Sequence, residues 1–105
     1  MPSEIVTPDR ILDAVCNVYG FSPANVIGRE RGKALCEARN IAYWLVYGLA
    51  RRSYSEVGRL YERDHSTIMS GCRWVTLRRK EPSPEGEQLR HALAQIAAAL
   101  DSEVP

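Results

Sequence analysis

Asp64, His65, Ser66 and Thr67 set a carboxylate, an imidazole and two hydroxyls side by side in four consecutive positions. Three chemistries use such groups. Nucleophilic or acid–base catalysis needs a nucleophile paired with a base that a third group orients. The only other histidine is His91, and no supporting carboxylate cluster accompanies either one, so no catalytic residues and no enzyme are expected. A metal site built on His65 and Cys72 lacks the third and fourth ligand that closed coordination requires. Cys16, Cys36 and Cys72 are odd in number and contain no Cys-x-x-Cys pair, which supports neither a disulfide framework nor a zinc knuckle. No metal and no cofactor are therefore expected. The third chemistry is reading the edges of base pairs. An Asp accepts from the cytosine amino group, and the carbon atoms of Ser or Thr meet a thymine methyl. The free amides of a helix start also favour a phosphate.

That chemistry requires a helix whose first turn is exposed and whose other face is buried. The sequence predicts one from Asp64 to about residue 79, with Ile68, Cys72 and Val75 inward at i, i+4, i+7. A shorter helix over 54–61 precedes it, opened by the capping box Ser53-Tyr54-Ser55-Glu56 and burying Val57, Leu60 and Tyr61. Two short helices joined by a few residues are a helix-turn-helix. Upstream, Leu35, Ala38, Ile41, Ala42, Leu45 and Leu49 predict a helix over 34–51. Tyr43, Trp44, Val46 and Tyr47 make it apolar on most sides, as befits the central helix of a domain. Thr7-Pro8-Asp9 opens a helix that Gly20 closes at about residue 19, and Ser22-Pro23 opens a short one that Gly28 ends. Glu81-Pro82-Ser83-Pro84 is a hinge, followed by an amphipathic helix over 84–100 with Leu89, Leu93, Ile96 and Leu100 on one face. The chain thus reads as an all-α small helical bundle, with a helix-turn-helix domain over 1–81 and a hinge and C-terminal helix over 82–105. The partner of that last helix is either the domain itself or, through the four apolar residues, a second copy or another protein.

A chain of 105 residues matches one domain, and its net charge of +1 conceals a segregation. Residues 29–80 hold 12 basic and 5 acidic residues, whereas the flanks hold 2 basic and 8 acidic ones. Such asymmetry points to a polyanionic partner. No apolar run approaches the roughly 20 residues of a membrane span, and Met1-Pro2-Ser3-Glu4 lacks the features of a signal peptide. The unpaired cysteines fit a reducing compartment, so a cytoplasmic, nucleoid-associated protein is expected.

The run from Glu56 to Arg73, with Arg63-Asp64-His65-Ser66-Thr67 at its centre, resembles the signature of the DNA-binding C-terminal domain of the bacterial replication initiator DnaA. Ala38 to Leu45 resembles the long helix before that signature, Arg29 to Lys33 its basic loop, and Ile11 to Ile27 its first two helices. The resemblance covers roughly residues 10–80. It implies a DnaA C-terminal or Trp-repressor-like fold that binds double-stranded DNA sequence-specifically, in control of replication initiation or transcription. It also implies base contacts from Asp64, His65 and Ser66, and backbone or minor-groove contacts from Arg29, Arg31, Lys33, Arg63, Thr67 and Arg73. No Gly-x-x-x-x-Gly-Lys-Ser/Thr loop occurs, so a stand-alone module without the ATPase part and without bound nucleotide is expected.

Two departures from that pattern motivate a second reading. The turn at Tyr61-Glu62-Arg63 is one residue shorter and has no Gly, and Glu30 and Glu37 interrupt the basic run. A non-catalytic interaction adaptor that keeps the fold without binding DNA would show the same features. Trp74 stays open between packing under the hinge and lying beside a DNA backbone. Arg78-Arg79-Lys80 suits a helix C-terminus as well as it suits phosphates.

Overall fold

Caps set where the helices begin. Thr7 accepts from the Arg10 amide through its hydroxyl at 3.3 Å and opens α1 (Pro8–Tyr19) in a computed structural model that describes residues 6–101. Ser22 and Asn25 form a reciprocal capping box for α2 (Pro23–Ile27). Ser53 and Glu56 do the same for α4 (Tyr54–Tyr61), with Ser53 N–H donating to Glu56 Oε1 at 2.8 Å and Glu56 N–H to Ser53 Oγ at 3.1 Å. Asp64 caps α5 (His65–Arg78), and Ser83 caps α6 (Pro84–Leu100) by accepting from the Gly86 amide at 3.1 Å. Among the described residues, only α3 (Lys33–Gly48) starts without a side-chain cap, from Gly32. All regular structure among the described residues is helical. Met1–Glu4, on which the signal-peptide reading rests, and the ends of the 1–81 and 82–105 segments lie outside those residues.

The central helix is α3, which packs against α1, α2, α4 and α5. Ile41, Ala42, Leu45 and Val46 are fully buried, and Tyr43 and Trp44 join them in the core as the sequence predicts. This helix ends at Gly48 rather than at 51. Its last amides still bond back, Leu49 N–H to Leu45 O at 2.7 Å and Arg52 N–H to Val46 O at 3.3 Å. Arg51 sits at φ 58, and that left-handed residue turns the chain so that Ser53 reaches the extended conformation an N-cap needs.

The last helix is part of the same core. Leu89, Leu93, Ile96 and Leu100 are 0–6% exposed and α6 packs against α1 and α5. The expectation of a homodimer or protein partner through these four side chains is therefore corrected: they are already covered by the chain's own helices, chiefly α1. Polar ties reinforce the docking. Arg10 donates to the Leu100 carbonyl at 3.0 Å, and Arg90 donates to the Arg79 and Glu81 carbonyls at 2.9 and 2.8 Å. Leu100 and Arg79 stand at helix ends, whose carbonyls lack partners within the helix, and Glu81 lies in the connection between α5 and α6.

Candidate nucleic-acid interface

The turn between α4 and α5 is tight because the chain crosses directly over Gly58. A Cβ there would lie 2.5 Å from the Arg63 carbonyl oxygen, so only glycine fits. The Arg63 amide bonds to Gly58 O at 2.8 Å and the Glu62 amide to Arg59 O at 3.4 Å, the 6→1 and 5→2 pattern of a Schellman ending. Glu62 occupies the left-handed position, φ 55 and ψ 48, where glycine is usual. The shorter, glycine-free turn is thus built around a strained glutamate.

Beyond the turn, Asp64 Oδ1 accepts from the Ser66 amide at 3.4 Å and lies 3.2 Å from His65 Nδ1. The Asp64 and His65 side chains remain 69% and 61% exposed, so one carboxylate caps α5, orients the imidazole and still faces solvent. Ser66, Thr67 and Arg73 are also exposed, while Ile68, Cys72 and Val75 point into the core as the spacing requires. Burial pushes the Cys72 thiol up to about 11. His65 and Cys72 lie two turns apart along one side of α5, the first exposed at the helix start and the second buried in the core.

Arg29, Arg31 and Lys33 are exposed around the α2–α3 connection, and among the described residues none of them has an ion-pair partner. The two acidic residues that interrupt this run are turned to structural use. Glu30 accepts from Asn25 Nδ2 at 2.9 Å, and half-buried Glu37 accepts from the Tyr19 hydroxyl. Burial, reinforced by that carboxylate, pushes the Tyr19 phenol well above its ordinary range.

Arg63 departs from its expected role. Its Nη1 donates to Ile27, Tyr61 and Glu62 carbonyls at 3.2, 2.9 and 3.4 Å, and its Nη2 to Gly28 O at 2.6 Å. A guanidinium held by four carbonyls inside its own fold is not presented to a phosphate. This correction brings the α2–α3 loop and the start of α5 together, since Gly28 precedes Arg29 and Arg63 precedes Asp64.

Sequence reasoning missed two features. Arg39 is 7% exposed and donates to the Val26, Asn25 and Gly28 carbonyls at 2.7, 2.9 and 2.8 Å. Its place on the apolar side of α3, among Leu35, Ala38 and Ala42, was the available signal. Secondly, an open groove of about 740 Å³ runs beside Ser66 and Arg73, lined by Trp44, Tyr47, Tyr54 and Met69 among others. Tyr47 stacks on Tyr54 with ring centroids 4.3 Å apart, and Met69 follows Ser66 by one helical turn. Trp44 donates from its indole to Thr76 Oγ1 at 3.2 Å, and Trp74 is half-buried with the Arg78 guanidinium 5.2 Å from its ring centre.

The sequence of the chain matches known proteins. The family model described as "Bacterial dnaA protein helix-turn-helix" matches residues 8–75, from the start of α1 into the inward face of α5. The chain is 31% identical over 92% of its length to chromosomal replication initiator protein DnaA 1 of Chlamydia trachomatis, of which it covers 21%. It is 34% identical over 92% of its length to DnaA of Sphingopyxis alaskensis, again covering 21%. With DnaA of Caulobacter vibrioides the identity is 33% over 90% of the chain and 19% of the relative. The chain thus spans about a fifth of the length of these initiators, and by the match over α1–α5 it belongs to the bacterial DnaA helix-turn-helix family.

Proposed function

We propose that this chain binds duplex DNA sequence-specifically through α5, with Asp64, His65 and Ser66 on base edges and Thr67 and Arg73 on the backbone. Arg29, Arg31 and Lys33 contact the backbone or the adjacent minor groove. The single observation that carries this reading is the exposed run Asp64-His65-Ser66-Thr67 at the capped start of a helix whose later turns are buried through Ile68, Cys72 and Val75. Side chains so placed can enter a major groove without disturbing the core. The exposed cations Arg29, Arg31 and Lys33 at the α2–α3 connection supply phosphate attraction, so binding should weaken steeply with salt.

The test is selection of bound sequences from random duplex DNA with the purified chain. A recovered motif whose affinity falls with salt supports the reading. Recovery of unenriched sequence, with no mobility shift of any duplex, removes it in favour of the adaptor that keeps the fold alone. The family association favours replication initiation as the process. Mapping bound sites on a chromosome separates it from transcriptional regulation, since the first places sites at an origin and the second at promoters.

A further inference from the structure

α2 has five residues, and its C-terminal end presents the carbonyls of Asn25, Val26, Ile27 and Gly28 in sequence. All four are taken by two guanidiniums from elsewhere in the fold. Arg39, from α3, holds Asn25, Val26 and Gly28, and Arg63, from the turn before α5, holds Ile27 and Gly28. The Gly28 carbonyl is shared, at 2.8 Å from Arg39 Nη2 and 2.6 Å from Arg63 Nη2. So short a helix has almost no internal hydrogen bonding to hold it. Cations on its orphan carbonyls satisfy them and also complement its dipole.

From this geometry we propose that Arg39 and Arg63 are positioning residues that set the offset between the 29–33 basic loop and the start of α5. The two elements then meet one duplex as a rigid pair. The inference rests on the DNA-binding reading above and adds a dependence between its two contact regions. Arg39 joins the loop's anchor to the central helix, and Arg63 joins the same anchor to the residue before Asp64. Lysine cannot substitute, because each arginine uses its fork to reach separate carbonyls and an ammonium is a single point of donation. The clip therefore predicts an effect of Arg→Lys at constant charge.

Arg63 is half-exposed and is the position to change, with Arg63→Gln as a second variant should Arg63→Lys lose its helical signal. The first measurement needs no DNA. Amide hydrogen exchange at Val26 and Gly28, whose amides bond to the Ser22 and Ala24 carbonyls where the loop is anchored, should rise by roughly tenfold in Arg63→Lys, with α3 protection unchanged. Unchanged exchange at this anchor of the loop overturns the clip. The second is a double-mutant cycle on the DNA motif selected by the unmodified chain. Arg31→Ala should weaken binding by about tenfold in the parent and by less than about twofold in the Arg63→Lys background. Equal factors in both backgrounds overturn the proposed dependence, since a purely structural role lowers the folded fraction without altering the loop's share. Should the parent bind no duplex at all, the DNA-binding reading falls and exchange at Val26 and Gly28 alone decides the clip.

Discussion

Arg39 and Arg63 donate to one acceptor, the carbonyl oxygen of Gly28, the first from α3 and the second from the turn before α5. The shared acceptor explains how a chain with 12 basic residues between 29 and 80 divides them between surface and interior. Arg39 and Arg63 hold the end of α2, whereas Arg29, Arg31, Lys33 and Arg73 remain at the surface. The charge count of that segment therefore overstates what is free to meet a polyanion. Arg10 and Arg90 do the same for α6 and for the end of α5, so arginine on helix-end carbonyls recurs through the fold.

Replacing Asp64 or His65 by Ala should remove discrimination rather than attraction. Truncating either base-reading side chain should weaken binding to the selected motif by about 1–3 kcal/mol and change little on scrambled duplex. Arg31→Ala and Lys33→Ala should weaken both duplexes alike and make the salt dependence shallower. Fluorescence anisotropy on paired duplexes at several salt concentrations measures this, and a uniform weakening for His65→Ala would remove it from the base-reading set.

Gly58→Ala should destabilise the fold by about 1–3 kcal/mol, because the added Cβ meets a backbone oxygen that cannot swing aside. Urea unfolding followed by far-UV circular dichroism reads the change. A neutral result would show that the turn can move away from α4.

Glu62→Gly should act in the opposite direction. The left-handed conformation at φ 55 costs a non-glycine residue roughly 1 kcal/mol, which glycine releases. The same urea experiment should show a higher midpoint at unchanged slope. A lower midpoint would mean that the glutamate side chain contributes more than its backbone strain costs.

Leu89→Ala should cost about 2–5 kcal/mol, as for a fully buried leucine, and leave the molecular mass in sedimentation unchanged. Deleting 82–105 should uncover the face of α1 beneath α6 and lower stability further. Undiminished stability of the truncated chain would contradict the packing of α6 into the common core.

Thiol labelling should separate the cysteines. Cys36 is exposed, while Cys16 and Cys72 are buried, and burial raises both buried thiols, Cys72 from 9.0 to about 11. One equivalent of iodoacetamide should react in native buffer and three in denaturant, with Cys36→Ser abolishing the native reaction. The folded chain keeps the Cys72 proton that the unfolded chain releases near pH 9, so its contribution to stability is full below that and declines as pH rises through 11. Fast native labelling of Cys72 would show that α5 opens readily.

Much of the architecture was legible because its signals are local. Thr7-Pro8, Ser22-Pro23, Ser53 with Glu56, Asp64 and Ser83-Pro84 each carry an N-cap in the residue types themselves, and the helices start where those residues stand. The inward row Ile68, Cys72, Val75 follows from helical period alone, and with it the exposure of Ser66 on the far side; His65 shares the side of that row and is exposed at the helix's first position. The premature end of α3 was not legible, because Arg51 adopts a left-handed conformation that its residue type does not announce.

What the sequence by itself determined was the set of helices, the caps of all but α3, the buried stripes apart from Leu60, which is exposed, and the exposed residues at the start of α5. All of these depend on neighbours within a few residues. Only the tertiary structure decided that Leu89, Leu93, Ile96 and Leu100 are covered by the chain's own α1, and that Arg63 turns inward to α2 instead of outward to a phosphate. Both outcomes depend on partners distant in sequence, Gly28 lying 35 residues from Arg63. An apolar stripe or a cation states its need for a partner locally, but which partner meets that need is settled by the packing of helices around α3.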